Sequence, residues 1–289
     1  MLRTILKAMR PKQWVKNVLI FAGVVFDRKL SDPTALLATI EAAALFSLLA
    51  SAVYLVNDIS DLESDREHLT KKNRPIASGA LPISLAWGVA LVLFAVVFYF
   101  GYQLSSAFAL ICAVYAALNL MYSRWFKHMV ILDVLILAGF YVIRVVVGLT
   151  VISVDRFSPW LYLATIFLAL FMGVGKRRAE LISAQQSGSN SRKVLELYTL
   201  DYLDQIIMIV LTSTIMTYSL YTFSAPNLPD NYATMLTIPF VIYGVFRYLY
   251  LLQVQQHGEA PEDIVLSDRP FQINLVLWAI SILLIFYYF

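Results

Sequence analysis

Apolar runs of about twenty residues follow one another along this chain with almost no charge inside them. A helix rising 1.5 Å per residue needs roughly 20 apolar residues to cross about 30 Å of hydrocarbon. Nine such runs can be read, at 16–30, 33–56, 82–101, 104–122, 129–152, 157–176, 203–224, 233–253 and 270–288. Backbone in hydrocarbon has to satisfy its own hydrogen bonds. The expected fold class is therefore all-α: a polytopic membrane protein, a bundle of nine transmembrane helices with cytoplasmic cap loops, forming one domain over 1–289. Composition agrees, at 60% hydrophobic and 14% charged, against about 45–50% and about 25% in soluble domains. Pro33, Pro82, Pro159 and Pro270 stand near helix starts, where the missing N–H costs nothing. Gly23 interrupts the short first run, which predicts an angled entry. The segment 1–17 lacks a small-residue cleavage site, so no cleavable signal peptide is expected. The single Cys112 lies inside an apolar run, and a lone thiol excludes an internal disulfide and makes a poor metal site.

Charge placement predicts an orientation. With the N-terminus inside, the inner segments hold Arg3, Lys7, Arg10, Lys12, Lys16, Arg66, Lys71, Lys72, Arg74, Arg124, Lys127, Lys176, Arg177, Arg178, Arg192, Lys193 and Arg269. The outer segments hold only Arg28, Lys29 and Arg156, and the positive-inside rule then places the N-terminus and the charged loops in the cytoplasm of a cell inner membrane. The inner connections 57–81, 177–202 and 254–269 are long and charged, while the outer ones are short or plain. Loops of that length are usually functional, and three on one face suggest a cap over a cavity. The stretch 185–191 reads as a flexible surface loop.

The chemistry gathers at the inner end of the second run, in Asn57-Asp58-Ile59-Ser60-Asp61-Leu62-Glu63-Ser64-Asp65. If the helix continues, Asp58, Asp61 and Asp65 share one face, with Asn57 a turn from Asp61. Stacked carboxylates repel unless a cation neutralises them. Oxygen donors without His or Cys suit a hard ion such as Mg²⁺, which takes one or two carboxylates and completes its shell with substrate phosphates. Glu63, Arg66 and Glu67 are read as a solvated helix end. Downstream come Lys71, Lys72, Asn73, Arg74, Pro75, Ser78 and Gly79. Cations beside carboxylates make sense if a polyanion sits between them, and Arg74, fixed by Pro75, is the best phosphate ligand of the set. Lys71 and Lys72 also serve as simple topology signals.

These residues carry a resemblance. The Asn57–Asp65 motif, followed by Arg74-Pro75-Ile76-Ala77-Ser78-Gly79, resembles the UbiA superfamily of intramembrane prenyltransferases over nearly the whole chain. Arg10-Pro11, Trp14, Lys16 and Asn17 match it too, as do Tyr122-Ser123 and Lys127. Where aromatic prenyltransferases of that family carry a second aspartate motif, this chain has Gly175-Lys176-Arg177-Arg178-Ala179-Glu180-Leu181. With Asp268-Arg269-Pro270, that element is similar to the decaprenyl-phosphate phosphoribosyltransferase branch. The resemblance implies Mg²⁺ held by Asn57, Asp58, Asp61 and Asp65, with Asn57, Asp58 and Asp61 as catalytic residues. It implies phosphoribosyl diphosphate as donor, a polyprenyl phosphate as acceptor and pyrophosphate as leaving group. Lys16, Asn17, Arg74, Tyr122, Lys127, Lys176, Arg177, Arg178 and Glu180 become candidate substrate ligands, and the division between donor and acceptor phosphates stays open. An already ionised lipid phosphate needs no strong base, so His68, His128 and His257 read as surface residues.

Other residues have two readings. Arg144 is expected to face the bundle interior in a structural pair, with Glu41 as a partner. Asp133 either pairs Lys127 or lines the site. Asn119 and Tyr122 either donate to phosphate or bond between helices. No nucleic acid is expected as a partner, and homo-oligomerisation is left open. The alternatives are prenyl transfer to an aromatic acceptor, opposed by the missing second aspartate motif, and a transporter, opposed by the absence of broken helices in two related halves.

Overall fold

Asp32 opens the first long helix. Its carboxylate accepts from the amides of Thr34 at 2.9 Å and Ala35 at 3.3 Å, satisfying donors that the helix start leaves orphaned. With Pro33 as its first residue, α3 then runs over Pro33–Ser60. It is preceded by α1 (Leu2–Met9), a 3₁₀ helix at Pro11–Phe21 and the short α2 (Ala22–Phe26). The computed structural model describes residues 1–67, 71–154, 158–187, 193–226, 228–255 and 267–288, and no strand occurs among them. The remaining α-helices are α4 (Leu62–Glu67), α5 (Ile83–Leu104), α6 (Ser106–Arg124), α7 (Leu132–Leu149), α8 (Pro159–Ser187), α9 (Leu200–Ser224), α10 (Ile238–Gln253) and α11 (Arg269–Tyr288).

Eight helical segments among the described residues are long and apolar enough to cross a membrane. The protein is a multi-pass membrane protein. The expected run 16–30 is instead a 3₁₀ helix followed by a five-residue α-helix. Polar side chains of that 3₁₀ helix tie it to α3: Trp14 Nε1 donates to Ser51 Oγ at 3.0 Å and Asn17 Nδ2 to Ser47 Oγ at 2.8 Å. The connection expected at 57–81 contains α4 and a 3₁₀ turn at Lys71–Asn73, and α8 continues past 176 to Ser187. Helix formation needs good propensity, not apolar character, and the i,i+3 pair Arg177–Glu180 supports that last stretch. His68, Arg156, Arg192, His257 and residues 188–191 lie outside the described residues.

The chain divides into two compact units, 1–124 with 143–154, and 125–142 with 155–289. In the first, Ala8, Leu55, Val56, Ile76, Leu81, Ala86 and Ala90 form a core that fastens α1 and the 75–81 turn against α3 and α5. Gly148 lies so close to the Ile20 carbonyl that a Cβ there would collide with it. In the second, Val134, Phe171, Val174, Leu203, Ile207, Tyr248 and Leu252 belong to a core joining α7, α8, α9 and α10. Helix α11 is fixed at its start by Asp268, which accepts from the Phe271 amide at 2.8 Å and pairs Arg247 through both oxygens, at 3.1 and 2.7 Å. Exposed side chains such as Leu91, Val92 and Phe100 on α5, and Ile273, Val276 and Leu284 on α11, suit lipid rather than water.

Candidate active site

Asn57 and Asp58 occupy the last turn of α3, and Asp61 ends it. The Asp61 amide still donates to the Asn57 carbonyl at 2.9 Å, and the Asp65 amide to the Asp61 carbonyl at 2.8 Å. The chain therefore bends at Asp61 without losing its i,i+4 bonds there. Asp58 and Asp65 are 3% and 2% exposed. Asp61 is half-buried and lines an open pocket with Ile59, Ser60, Leu62, Glu63 and Ser64.

Among the described residues, no three His, Cys, Asp or Glu side chains gather closely enough to hold a metal. Guanidinium groups lie between the carboxylates instead. Arg74 Nη1 donates to Asp58 Oδ1 at 3.1 Å and to Asp65 Oδ2 at 2.5 Å, while Arg10 Nη2 donates to the same Asp58 Oδ1 at 2.5 Å. Buried carboxylates require such counter-charge, because an unpaired one costs several kcal/mol, roughly 3–5 by mutation. Two acceptors are left over: Asn57 Oδ1 and Asp58 Oδ2 are buried with no hydrogen-bond partner. An unsatisfied buried acceptor costs about 1–3 kcal/mol, more if charged, and a cation would remove that cost. An amide and a carboxylate oxygen left without partners are donors of the kind a hard divalent ion takes, with phosphate completing its shell.

Arg10 was legible only as part of the Arg10-Pro11 motif, with no signal of its target 48 residues away. It closes α1 in the left-handed region, at φ 53° and ψ 59°, and its guanidinium carbon lies 4.9 Å from the Tyr54 ring centre. Lys16 and Tyr122 are half-buried, on the 3₁₀ segment and in the last turn of α6. Asn17 is buried, and its side chain bridges Ser47 and Arg144, accepting from Arg144 Nε at 3.0 Å. Arg144 Nη2 reaches the Tyr115 hydroxyl at 3.3 Å, with the Phe46 and Tyr115 rings on its flank. The partner expected for Arg144, Glu41, is exposed; the neutral Asn17 and Tyr115 hold the guanidinium in its place. Asn119 donates to the Tyr115 carbonyl of its own helix at 2.9 Å, a bond that shields an amide in an apolar setting.

In the second unit Arg177 and Arg178 of the basic stretch are both paired with carboxylates. Arg177 and Asp133 are wholly enclosed and paired at 2.5 Å, and Arg177 also pairs Glu180. Asp133 thus pairs Arg177. Its other oxygen accepts from the Tyr198 hydroxyl at 2.7 Å, and that hydroxyl accepts from the Ile131 amide at 2.7 Å. Burial first, then the bond to Asp133, pushes the Tyr198 phenol well above its ordinary range, so it stays a proton donor. Arg178 Nε pairs Asp204 Oδ1 of α9 at 2.5 Å, while its Nη1 is buried without a partner. Lys176 and Lys127 are half-buried, and His128 is exposed in the 3₁₀ turn Phe126–His128.

The UbiA prenyltransferase family matches residues 18–264. The chain is similar to decaprenyl-phosphate phosphoribosyltransferase of Mycobacterium tuberculosis, 37% identical over 96% of this chain and 92% of the relative. It is also similar to the protein of that name from Corynebacterium glutamicum, 35% identical over 98% of this chain and 86% of the relative. Among solved structures, a UbiA homologue from Archaeoglobus fulgidus bound to GPP and Mg²⁺ aligns at a TM-score of 0.75, with 18% identity, over 98% of this chain and 99% of that one. That likeness speaks for the fold. Sequence identity and matched length together identify the chain as a member of the UbiA prenyltransferase family.

Proposed function

We propose that this chain, acting over 1–289 as a single transferase, moves a 5-phosphoribosyl group from phosphoribosyl diphosphate to a polyprenyl phosphate and releases pyrophosphate. The observation that carries the site is that Asn57 Oδ1 and Asp58 Oδ2 are both buried and unpartnered, while Arg10 and Arg74 sit on the other Asp58 oxygen. The relatives that are 35–37% identical and named decaprenyl-phosphate phosphoribosyltransferase support the reaction.

Asn57 and Asp58 would hold Mg²⁺, with Asp61 and Asp65 contributing, and the ion supplies charge neutralisation to a diphosphate leaving group. Arg74, whose side chain is 27% exposed and already lies among carboxylates, adds a donor for the departing oxygens. As the anomeric C–O bond breaks, positive charge develops on the ribosyl carbon and negative charge on the diphosphate. Preorganised charge lowers that barrier most when water is kept away. A lipid phosphate oxygen, ionised at neutral pH, attacks the ribosyl carbon with no proton to remove. Lys16, Asn17, Tyr122, Lys127, Lys176, Arg178 and Glu180 are proposed substrate contacts; Arg177, sealed between Asp133 and Glu180, is proposed to hold its segment in place. We read nine passes with cap loops, and a site opening to the cytoplasm from the plasma membrane, because inner cations outnumber outer ones so heavily.

The test is direct. Purified protein with Mg²⁺, labelled phosphoribosyl diphosphate and polyprenyl phosphate should yield a labelled lipid. Asp58→Ala and Asp61→Ala should abolish turnover while the folded membrane protein persists. Prenyl transfer to an aromatic acid with no labelled lipid would overturn the reaction; wild-type turnover in both variants would overturn the site.

A further inference from the structure

Asp58 and Asp65 carry two negative charges, and Arg10 and Arg74 carry two positive ones, so these four bonded side chains form a neutral set. The partners differ in freedom. The carboxylate side chains are 4% and 3% exposed, while the Arg10 and Arg74 side chains are 28% and 27% exposed on long flexible stems. If something enters, the arginines are the groups that can swing. Arg10 also holds a backbone conformation that non-glycine residues avoid, at φ 53° directly before Pro11, which costs on the order of 1 kcal/mol. That strained turn brings Arg10 from the end of α1 onto Asp58, with Tyr54 under its guanidinium.

We propose that Arg10 and Arg74 are exchangeable counter-ions: without metal they neutralise Asp58 and Asp65, and when a metal diphosphate arrives they transfer their hydrogen bonds to it. This inference rests on the reading of Asn57 and Asp58 as a metal–diphosphate site. A divalent ion alone would add two charges to a set that is already neutral, beside two guanidinium groups that repel it. A diphosphate alone would meet Asp58 and Asp65. Together most of their charge cancels, and the remaining negative charge gives the arginines a phosphate partner in a geometry that guanidinium favours. Metal and diphosphate therefore bind as one unit, and the coupling is reciprocal. Arg10 becomes a diphosphate ligand that competes with the free metal.

The two roles predict opposite signs for one substitution. In detergent-solubilised protein, retention of labelled pyrophosphate in equilibrium dialysis should rise at least about tenfold on adding saturating Mg²⁺. Arg10→Gln should weaken that retention by roughly tenfold, the loss of a charged hydrogen bond. The same variant should bind Mn²⁺ alone, read by paramagnetic resonance of the free ion, severalfold more tightly than wild type. Arg10→Lys, which keeps the charge, should return both values toward wild type. Should Arg10→Gln not fold, Arg74→Gln carries the same opposed signs. Loosened or unchanged Mn²⁺ binding in the folded Gln variant overturns the exchange while leaving the metal site standing. Folded wild-type protein that retains no pyrophosphate with Mg²⁺ present removes the metal–diphosphate reading itself.

Discussion

Arg177 and Asp133 are both fully enclosed and bonded at 2.5 Å, and charges held that far from water depend on each other. Removing one partner strands the other, at roughly 3–5 kcal/mol. Arg177→Gln should therefore lower thermal stability in detergent sharply, while Arg177→Gln with Asp133→Asn should regain much of the loss. A single variant as stable as wild type would remove this lock from the second unit. Tyr198 belongs to the same network: it donates to Asp133 and accepts from the Ile131 amide. None of these pairings could be read along the chain. Lys176, Arg177 and Arg178 look alike in sequence, yet Arg177 is sealed by a carboxylate 44 residues away, and Arg178 is paired with Asp204 on another helix. The types of the charged residues at the candidate site were legible, because acids and cations at the end of an apolar run have few structural uses. Their partners were not, because tertiary packing chooses them. Arg10 is the sharpest case, a motif residue whose role appears only when α1 folds against α3.

Apolar runs mark helices well where lipid is the solvent, and the runs from 33 onward became α3 and α5–α11 with ends within a few residues, apart from the extension of α8. They fail in two physically distinct ways. Helix α8 outlasts its run by eleven residues because Arg177–Ser187 keeps helical propensity after the continuous apolar run has ended. The run 16–30 falls short because Asn17 docks on α3 and because its backbone lies against Gly148. That second contact carries a prediction. In Gly148→Ala the new Cβ meets the Ile20 carbonyl, so either α7 or the 3₁₀ segment has to shift. Overpacking of this kind costs about 1–3 kcal/mol, and it should appear as a lower melting temperature with faster proteolysis within residues 11–21. Unchanged melting and unchanged cleavage would mean that the close approach is readily relieved.

At the scale of the whole chain, orientation in the membrane follows from where cations were tolerated during insertion. The fold itself is indifferent to it, since a helix reads the same from either side. The charges are not. Lys71, Lys72 and Arg74 flank the acidic motif, whereas Asp230 and Asn231 stand in a connection with no cation between 225 and 232. The membrane favours Lys and Arg on the cytoplasmic side of short connections, so the candidate site should open to the compartment that holds soluble phosphorylated sugars. Cys112 is the chain's sole cysteine and is buried, which makes a clean background. In Cys112→Ala protein, Lys72→Cys should react with a membrane-impermeant thiol reagent only after the cells are opened. Asp230→Cys should react in intact cells. Both positions are exposed, so access to reagent and not burial decides the outcome. Labelling of Lys72→Cys from outside, with Asp230→Cys protected, would invert the orientation and put the carboxylates on a face where a cytoplasmic sugar diphosphate cannot reach them.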